Sequence, residues 1–268
     1  MLIGNLLGLL FTLSPVPSSP FYHGRSAFHR FNADLVEIKH RHQLSVTSCG
    51  SLRMSSNEDD LPIVKPKVVV FDLDGCLWRP EMYELVWFSG GRGAPFRPDP
   101  ENPGSLLTRG DEPVYLLGDV RDVMKELYLD DTWKHVKIGI SSRTDEPKWA
   151  KELLEKFKVE HGENGDSFAL GDIFASGPIE IAKDSKVKHF KRIASSCGVD
   201  MKDILFFDNE SGNCKEVARL GVTVAYVPDG VTKEAWAVAQ EVFPQSEGKV
   251  VGVDIFGYDT LEGANRFF

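Results

Sequence analysis

Paired cysteines, long apolar runs and positive charge are all scarce in this chain. Its four cysteines, Cys49, Cys76, Cys197 and Cys214, lie far apart with no C-x-x-C spacing, which argues against a disulfide framework and against a structural zinc site. The longest uncharged apolar run, Met1 to Leu13, is shorter than the roughly 18 to 20 residues a membrane-spanning helix needs. Lys and Arg number 31 against 40 Asp and Glu, a formal charge of −9. That charge is uneven: residues 1–55 hold five Lys/Arg and two acids, a net of +3, so the remaining 213 residues carry −12. A body this acidic repels phosphate backbones, so nucleic acid is not expected as its partner, and with no apolar run long enough to span one, neither is a membrane. Any anionic substrate has to be held by a local positive device such as a metal ion. What is present is ordinary core material, 42% hydrophobic and 26% charged residues, enough for a globular fold.

Composition divides the chain. Met1 to Leu13 is apolar, Ser14 to Pro20 is small and Pro-rich, and Phe21 to Arg53 is basic and poor in acids. Such a leader suits a targeting presequence or a disordered extension over 1–55. A linker at 56–66 precedes a domain expected over 67–245, and 246–268 reads as a C-terminal tail. Residues 79–118 hold six glycines and six prolines, the mark of a loop or hairpin insertion rather than a helix.

Within 67–245, strand and helix patterns alternate. Lys67-Val-Val-Val-Phe71 is a continuous β-branched run suited to a strand buried on both faces. Further strands are expected at 136–140, 168–174, 204–207 and 222–227. Helices are expected after Asp119, with Val120, Val123, Met124 and Leu127 inward; after Thr144 or Asp145, with Pro147 in the first turn; over 185–196, ended by Gly198; over 214–220; and over 232–243. This alternation predicts an α/β fold: three Rossmann-like layers around a central parallel sheet.

The chemistry-bearing residues fall at the carboxyl ends of these strands, where open α/β sheets place their ligands. Asp72 and Asp74, in Phe71-Asp72-Leu73-Asp74-Gly75-Cys76-Leu77-Trp78, sit two apart on an extended chain, so both can face one pocket. Ser142 and Arg143 follow the strand ending at Ile140, Lys186 opens a helix, and Asp208-Asn209 follows Leu205-Phe-Phe. Singly, each is a common cap, turn or surface residue; their order on successive strand ends is what carries information. Cys76 has no neighbouring His partner and reads as packing.

Those four units resemble the motifs of haloacid dehalogenase superfamily phosphotransferases. Asp72-Leu-Asp74 with Leu77-Trp78, Ser142-Arg143-Thr144, Ser185-Lys186-Val187 and Phe206-Phe207-Asp208 are similar to the magnesium-dependent acid phosphatase branch, over residues 67 to about 230. The resemblance implies a Mg²⁺ cofactor and a phosphomonoesterase working through an aspartyl-phosphate. Asp72 would be nucleophile and metal ligand, Asp74 acid/base and, through its backbone carbonyl, metal ligand. Ser142 and Arg143 would bind phosphate oxygens, Lys186 would offset charge around Asp72, and Asp208 would hold the metal. Members of the branch usually carry two aspartates where this chain has Asp208-Asn209, so either Asp208 takes over the metal or Asn209 holds it more weakly.

With only the 79–118 flap and no cap domain expected, the open site is expected to admit bulky phosphates: an aryl or phosphotyrosine-type group, a protein-linked sugar phosphate or another phosphoprotein. Replacing Glu81 to Pro113 is expected to re-rank substrates while sparing a small activated ester. A small-metabolite sugar phosphatase and a non-catalytic binding module of the same fold stand as alternatives. The leader resembles the two-part sequences of algae with complex plastids, which implies delivery to a plastid, with the cytoplasm as the other possibility.

Overall fold

A computed structural model describes residues 64–88, 90–162, 164–244 and 250–252. The expectations for 1–55 lie outside these residues. The first strand, β1 (Val68–Phe71), is buried at all four positions, as its unbroken apolar run requires. An insertion follows with β2 (Trp78–Arg79), α1 (Met82–Phe88), β3 (Arg97–Pro98), β4 (Leu106–Leu107) and β5 (Pro113–Leu116). Then come α2 (Val120–Leu129), β6 (Lys137–Ser142), α3 (Pro147–Lys156), the hairpin β7 (Lys158–His161) and β8 (Asp166–Ala169), and β9 (Ile179–Ile181). The chain continues through α4 (Lys186–Cys197), β10 (Ile204–Asp208), α5 (Ser211–Ala218), β11 (Thr223–Tyr226), α6 (Lys233–Glu241) and β12 (Val250–Gly252).

Six strands form the central sheet in the order β12-β11-β10-β1-β6-β9, and every neighbouring pair is parallel. Alternate residues feed two separate cores. Val69, Phe71, Leu205 and Phe207 face α2, α3 and α6, packing with Val123, Leu153 and Trp236. Val68, Val70, Ile204 and Phe206 face α4 and α5, packing with Phe190, Ile193 and Val217. Period-two side chains on central strands thus give the expected three-layer α/β sandwich. Phe71 is in register with Ile140 on one side and Phe207 on the other, so the residues that follow these strands emerge at one level.

Helix limits follow local chemistry. Val120, Val123, Met124 and Leu127 are the buried stripe of α2. Ser185 caps α4 by accepting from the Lys188 amide, and Gly198 ends it at φ 66, a left-handed turn that glycine adopts at little cost. Helix α3 has Glu146 as its N-cap with no side-chain cap bond; neither Thr144 nor Asp145 takes that place, because Pro147 already sets the first turn.

Three expectations are corrected. Residues 79–118 do include a helix: α1 covers Met82–Phe88, a stretch free of Gly and Pro, whereas the breakers concentrate after it. Its Met82 and Leu85 are buried. The stretch 168–174 is not a sheet strand but the end of β8 followed by a 3₁₀ turn, Leu170–Phe174; the sixth-place edge strand is β9, only three residues long and incompletely buried. Finally, β12 pairs with β11, so the sheet draws on Val250–Gly252, beyond the expected boundary at 245.

The rest of the insertion is an antiparallel sheet, β2-β5-β4-β3, pinned to α2 and α3. The Phe96 amide donates to Glu152 Oε1 at 2.8 Å, Lys156 Nζ donates to the Phe96 carbonyl at 2.6 Å, and Arg121 Nη2 donates to the Gly104 carbonyl at 2.6 Å. Phe96 is buried and meets Trp149 edge-on; it anchors the insertion.

Candidate active site

Asp72 directly follows β1, Asp208 ends β10, Ser142 ends β6 and Lys186 is the first residue of α4. The parallel register brings them together. Lys186 Nζ lies 2.7 Å from Asp72 Oδ1 and 3.0 Å from Asp208 Oδ2, and also donates to the Ser141 carbonyl. Lys186 and Asp208 are wholly buried. Burial alone would lower the lysine's pKa, but Asp208 and Asp72 outweigh it and the net shift is upward. It therefore stays charged, as a buried ammonium with two carboxylate partners should.

Burial pushes the Asp72 carboxyl up, Lys186 pulls it down, and Asp208 and Asp74 push it further up. Burial likewise raises Asp74 to about 6, against hydrogen bonds from Trp78, Thr144 and the Met82 amide. Trp78 Nε1 donates to Asp74 Oδ1 at 2.8 Å, and the Met82 amide donates to Oδ2 at 3.3 Å. A carboxyl with a pKa of about 6 can both give and accept a proton near neutrality.

These groups line a cavity of about 360 Å³. Five carboxylates, Asp72, Asp74, Glu81, Asp145 and Glu210, face two cations, Arg143 and Lys186, with Ser142, Thr144, Tyr83 and Asn213 completing the wall. Ser142 Oγ accepts from the Thr144 amide at 3.3 Å. Arg143 Nη1 donates to Asn213 Oδ1 at 3.1 Å. Asn213 Nδ2 in turn donates to Asp208 Oδ2 at 3.2 Å and to Glu210 Oε2 at 2.9 Å. Cys76 is packing, as expected: it is buried, its Sγ lies 3.6 Å from the Phe207 carbonyl, and burial pushes its thiol well up.

The donors fit Mg²⁺. All are oxygen; burial raises the pKa of Asp72, Asp74 and Glu81, and neighbouring acids raise Asp72 and Glu81 further, a strain that a divalent cation relieves. Among the described residues no three His, Cys, Asp or Glu side chains form a ready-made ligand cluster; Mg²⁺ ordinarily takes one or two carboxylates and completes its shell with water and substrate phosphate. At the fourth motif, Asp208 Oδ1 accepts from the Glu210 amide at 2.7 Å and Oδ2 is held by Lys186 and Asn213. Asn209 instead keeps a buried Oδ1 with no hydrogen-bond partner, while its Nδ2 lies 3.5 Å from Glu81 Oε1. Gly75, at φ +73, makes room for it: a Cβ there would lie 2.2 Å from Asn209 Nδ2.

Of the residues expected at the site, Asp72, Asp74, Ser142, Arg143 and Lys186 line the cavity, whereas Asp208 and Asn209 do not: Asp208 lies behind it against Lys186, and Asn209 beside Glu81. Asn213, Glu81 and the roles of Trp78 and Thr144 were not foreseen. Trp78 and Thr144 stand inside the quoted motifs and carried a usable signal; Asn213, a polar residue in a helix, carried none.

An Acid Phosphatase family profile matches residues 64–245. A HAD-like hydrolase superfamily protein of Schizosaccharomyces pombe is 35% identical over 158 residues, 59% of this chain and 83% of that protein. Magnesium-dependent phosphatase 1 of Homo sapiens is 29% identical over 186 residues, 68% of this chain and 89% of that protein. Among solved structures, a HAD-superfamily hydrolase from Ehrlichia chaffeensis aligns at 11% identity with a TM-score of 0.40, over 66% of this chain and 96% of that one. The profile covers five of the six central strands and all four motifs, and on that ground the chain belongs to the acid phosphatase family, in the magnesium-dependent phosphatase branch of the haloacid dehalogenase superfamily.

Proposed function

We propose that this chain is a Mg²⁺-dependent phosphomonoesterase that works through an aspartyl-phosphate on Asp72. The observation that carries the reading is Lys186, buried and held at 2.7 Å from Asp72 and 3.0 Å from Asp208, beside a cavity that Asp74 also lines. Asp72, the Asp74 carbonyl and the Asp208-Asn209 pair would hold Mg²⁺, which supplies charge neutralisation between a carboxylate nucleophile and a phosphate dianion. Asp72 attacks phosphorus and the ester oxygen leaves with a proton from Asp74. Asp74 then takes a proton from the water that hydrolyses the acyl phosphate. Ser142 and Arg143 hold phosphoryl oxygens, and Lys186 offsets the charge around the nucleophile.

The substrate reading is a bulky ester: an aryl or phosphotyrosine-type phosphate, or a phosphate carried on a protein. Two features support it. No cap domain occurs among the described residues, and the insertion brings Tyr83 to the cavity wall and leaves Trp87 80% exposed one helical turn away. Hydrolysis of p-nitrophenyl phosphate with Mg²⁺, its loss with EDTA, and its loss in a folded Asp72→Asn protein are the expected results. An active Asp72→Asn protein would remove the mechanism, and an inactive wild type with Mg²⁺ would favour the binding-module alternative. We further propose residues 1–55 as a presequence for plastid delivery; a fluorescent fusion lacking them should lose the localisation of the full-length fusion.

A further inference from the structure

Arg143 stands at a cavity wall with five carboxylates, yet among the described residues it forms no ion pair. Its hydrogen bond goes to a neutral amide, Asn213 Oδ1, at 3.1 Å. The same amide's Nδ2 donates to Asp208 Oδ2 and Glu210 Oε2. Asn213 is 5% exposed, so its rotamer is fixed by packing in the first turn of α5 as well as by these partners. No other side-chain type of this size serves here. An aspartate could accept from Arg143 but could not donate to Asp208 and Glu210, and its charge would cancel that of the guanidinium. An apolar residue would leave Arg143 unheld and Glu210, on the same wall, without its donor.

Resting on the phosphatase reading, we propose that Asn213 is a positioning residue: it aims Arg143 at the bound phosphate while leaving the guanidinium charge uncancelled, and it locks that aim to Asp208 and thus to Lys186 and Asp72. Charge-assisted hydrogen bonds to an anion are the strong ones. A guanidinium already neutralised by a carboxylate contributes much less to phosphate affinity.

The test uses the full chain with Mg²⁺, inorganic phosphate titrated by calorimetry, and kcat and KM on p-nitrophenyl phosphate. Asn213→Ala should weaken phosphate binding about tenfold, and the near-isosteric Asn213→Asp should weaken it more than Ala does. A role in packing alone predicts the opposite order. Arg143→Ala should weaken binding similarly, and adding Asn213→Ala to it should change little, because the two act as one unit. Unchanged phosphate affinity in Asn213→Ala, Asp binding better than Ala, or additive effects in the double variant would each overturn the proposal. Should the Asp variant fail to fold, the Ala cycle with Arg143 decides alone. A wild type that neither binds phosphate nor hydrolyses the ester would instead overturn the phosphatase reading, and with it this proposal.

Discussion

The Trp78 indole N–H donates to Asp74 Oδ1 at 2.8 Å, across a tight turn that returns the chain to the carboxyl only four residues later. The Trp78 ring is fully buried and lies 6.2 Å from the Phe157 ring, nearly parallel to it. The donor is thereby fixed by the core, and the proposed acid/base is fixed by the donor. Trp78→Phe keeps most of that apolar surface and deletes the N–H. Losing one hydrogen bond that orients a reacting group costs about 1–1.5 kcal/mol, so kcat should fall about tenfold with KM nearly constant. Equal kcat in a folded Trp78→Phe protein would mean that Met82 and Thr144 suffice to hold Asp74.

If Asn209 holds Mg²⁺, it does so through a neutral oxygen, where the resemblance leads one to expect a carboxylate. Its Oδ1 is buried without a hydrogen-bond partner, and Asn209→Asp puts a charged oxygen at that position. The half-saturating Mg²⁺ concentration should drop several-fold, at some cost from facing Glu81 3.5 Å away. A Mg²⁺ titration identical to wild type would assign the fourth motif's metal contact to Asp208.

His189 sits behind the site in α4. It is fully buried, its Nδ1 lies 3.0 Å from Ser141 Oγ, and its Nε2 has no partner. Burial lowers its pKa from 6.5; Lys186 and Arg192 lower it further, and Glu180 and Asp184 partly oppose them. The folded state thus holds the neutral ring while the unfolded chain takes up a proton near 6.5. A depressed folded value means stability is present above that pH and is lost as pH falls below it, by at most about 1.4 kcal/mol per pH unit. Urea unfolding at pH 7.5, 6.5 and 5.5 should show a steeper loss in wild type than in His189→Gln. Parallel curves would show that the buried imidazole is protonated as readily folded as unfolded.

How far the sequence discloses this molecule depends on what each residue's neighbours make visible. Asp72, Ser142 and Asp208 are legible because they follow successive apolar strands in the order of a known motif set; alone, each could be a cap or turn residue. That the central strands are buried on both faces is legible too, in the unbroken apolar runs of β1 and β10. β9 is not: Ile179-Glu-Ile is too short to show a period, and only its register with Ile140 to Ser142 makes it a strand. Helix α1 is hidden by averaging, since six glycines and six prolines across 79–118 mask seven helix-compatible residues. Asn213 is hidden by type, because its function lies in three partners that are remote or one turn away.

The insertion yields the last prediction, and here the structure changes what the sequence led one to expect. Replacing Glu81 to Pro113 with a Gly/Ser linker looked like an exchange of specificity that would spare a small activated ester. The segment, however, contributes directly to the site. The Met82 amide is one of the donors holding Asp74, and the Glu81 side chain lines the cavity and reaches Asn209. Removing both should lower kcat on every ester together, by about tenfold or more if each contact is worth an ordinary oriented hydrogen bond. Specificity should respond instead to Tyr83→Ala and Trp87→Ala, one turn apart on α1: Tyr83 is 48% and Trp87 80% exposed, so neither truncation opens the core. Those two variants should lower kcat/KM for aryl and peptide phosphates relative to a small aliphatic ester, while the linker variant lowers all three in parallel. Circular dichroism and thermal unfolding must first show the linker protein folded, because Phe96 and its bonds to Glu152 and Lys156 leave with the segment. If that folded protein still turns over the small ester at the wild-type rate, Asp74 does not need the Met82 amide, and the insertion is a specificity element alone.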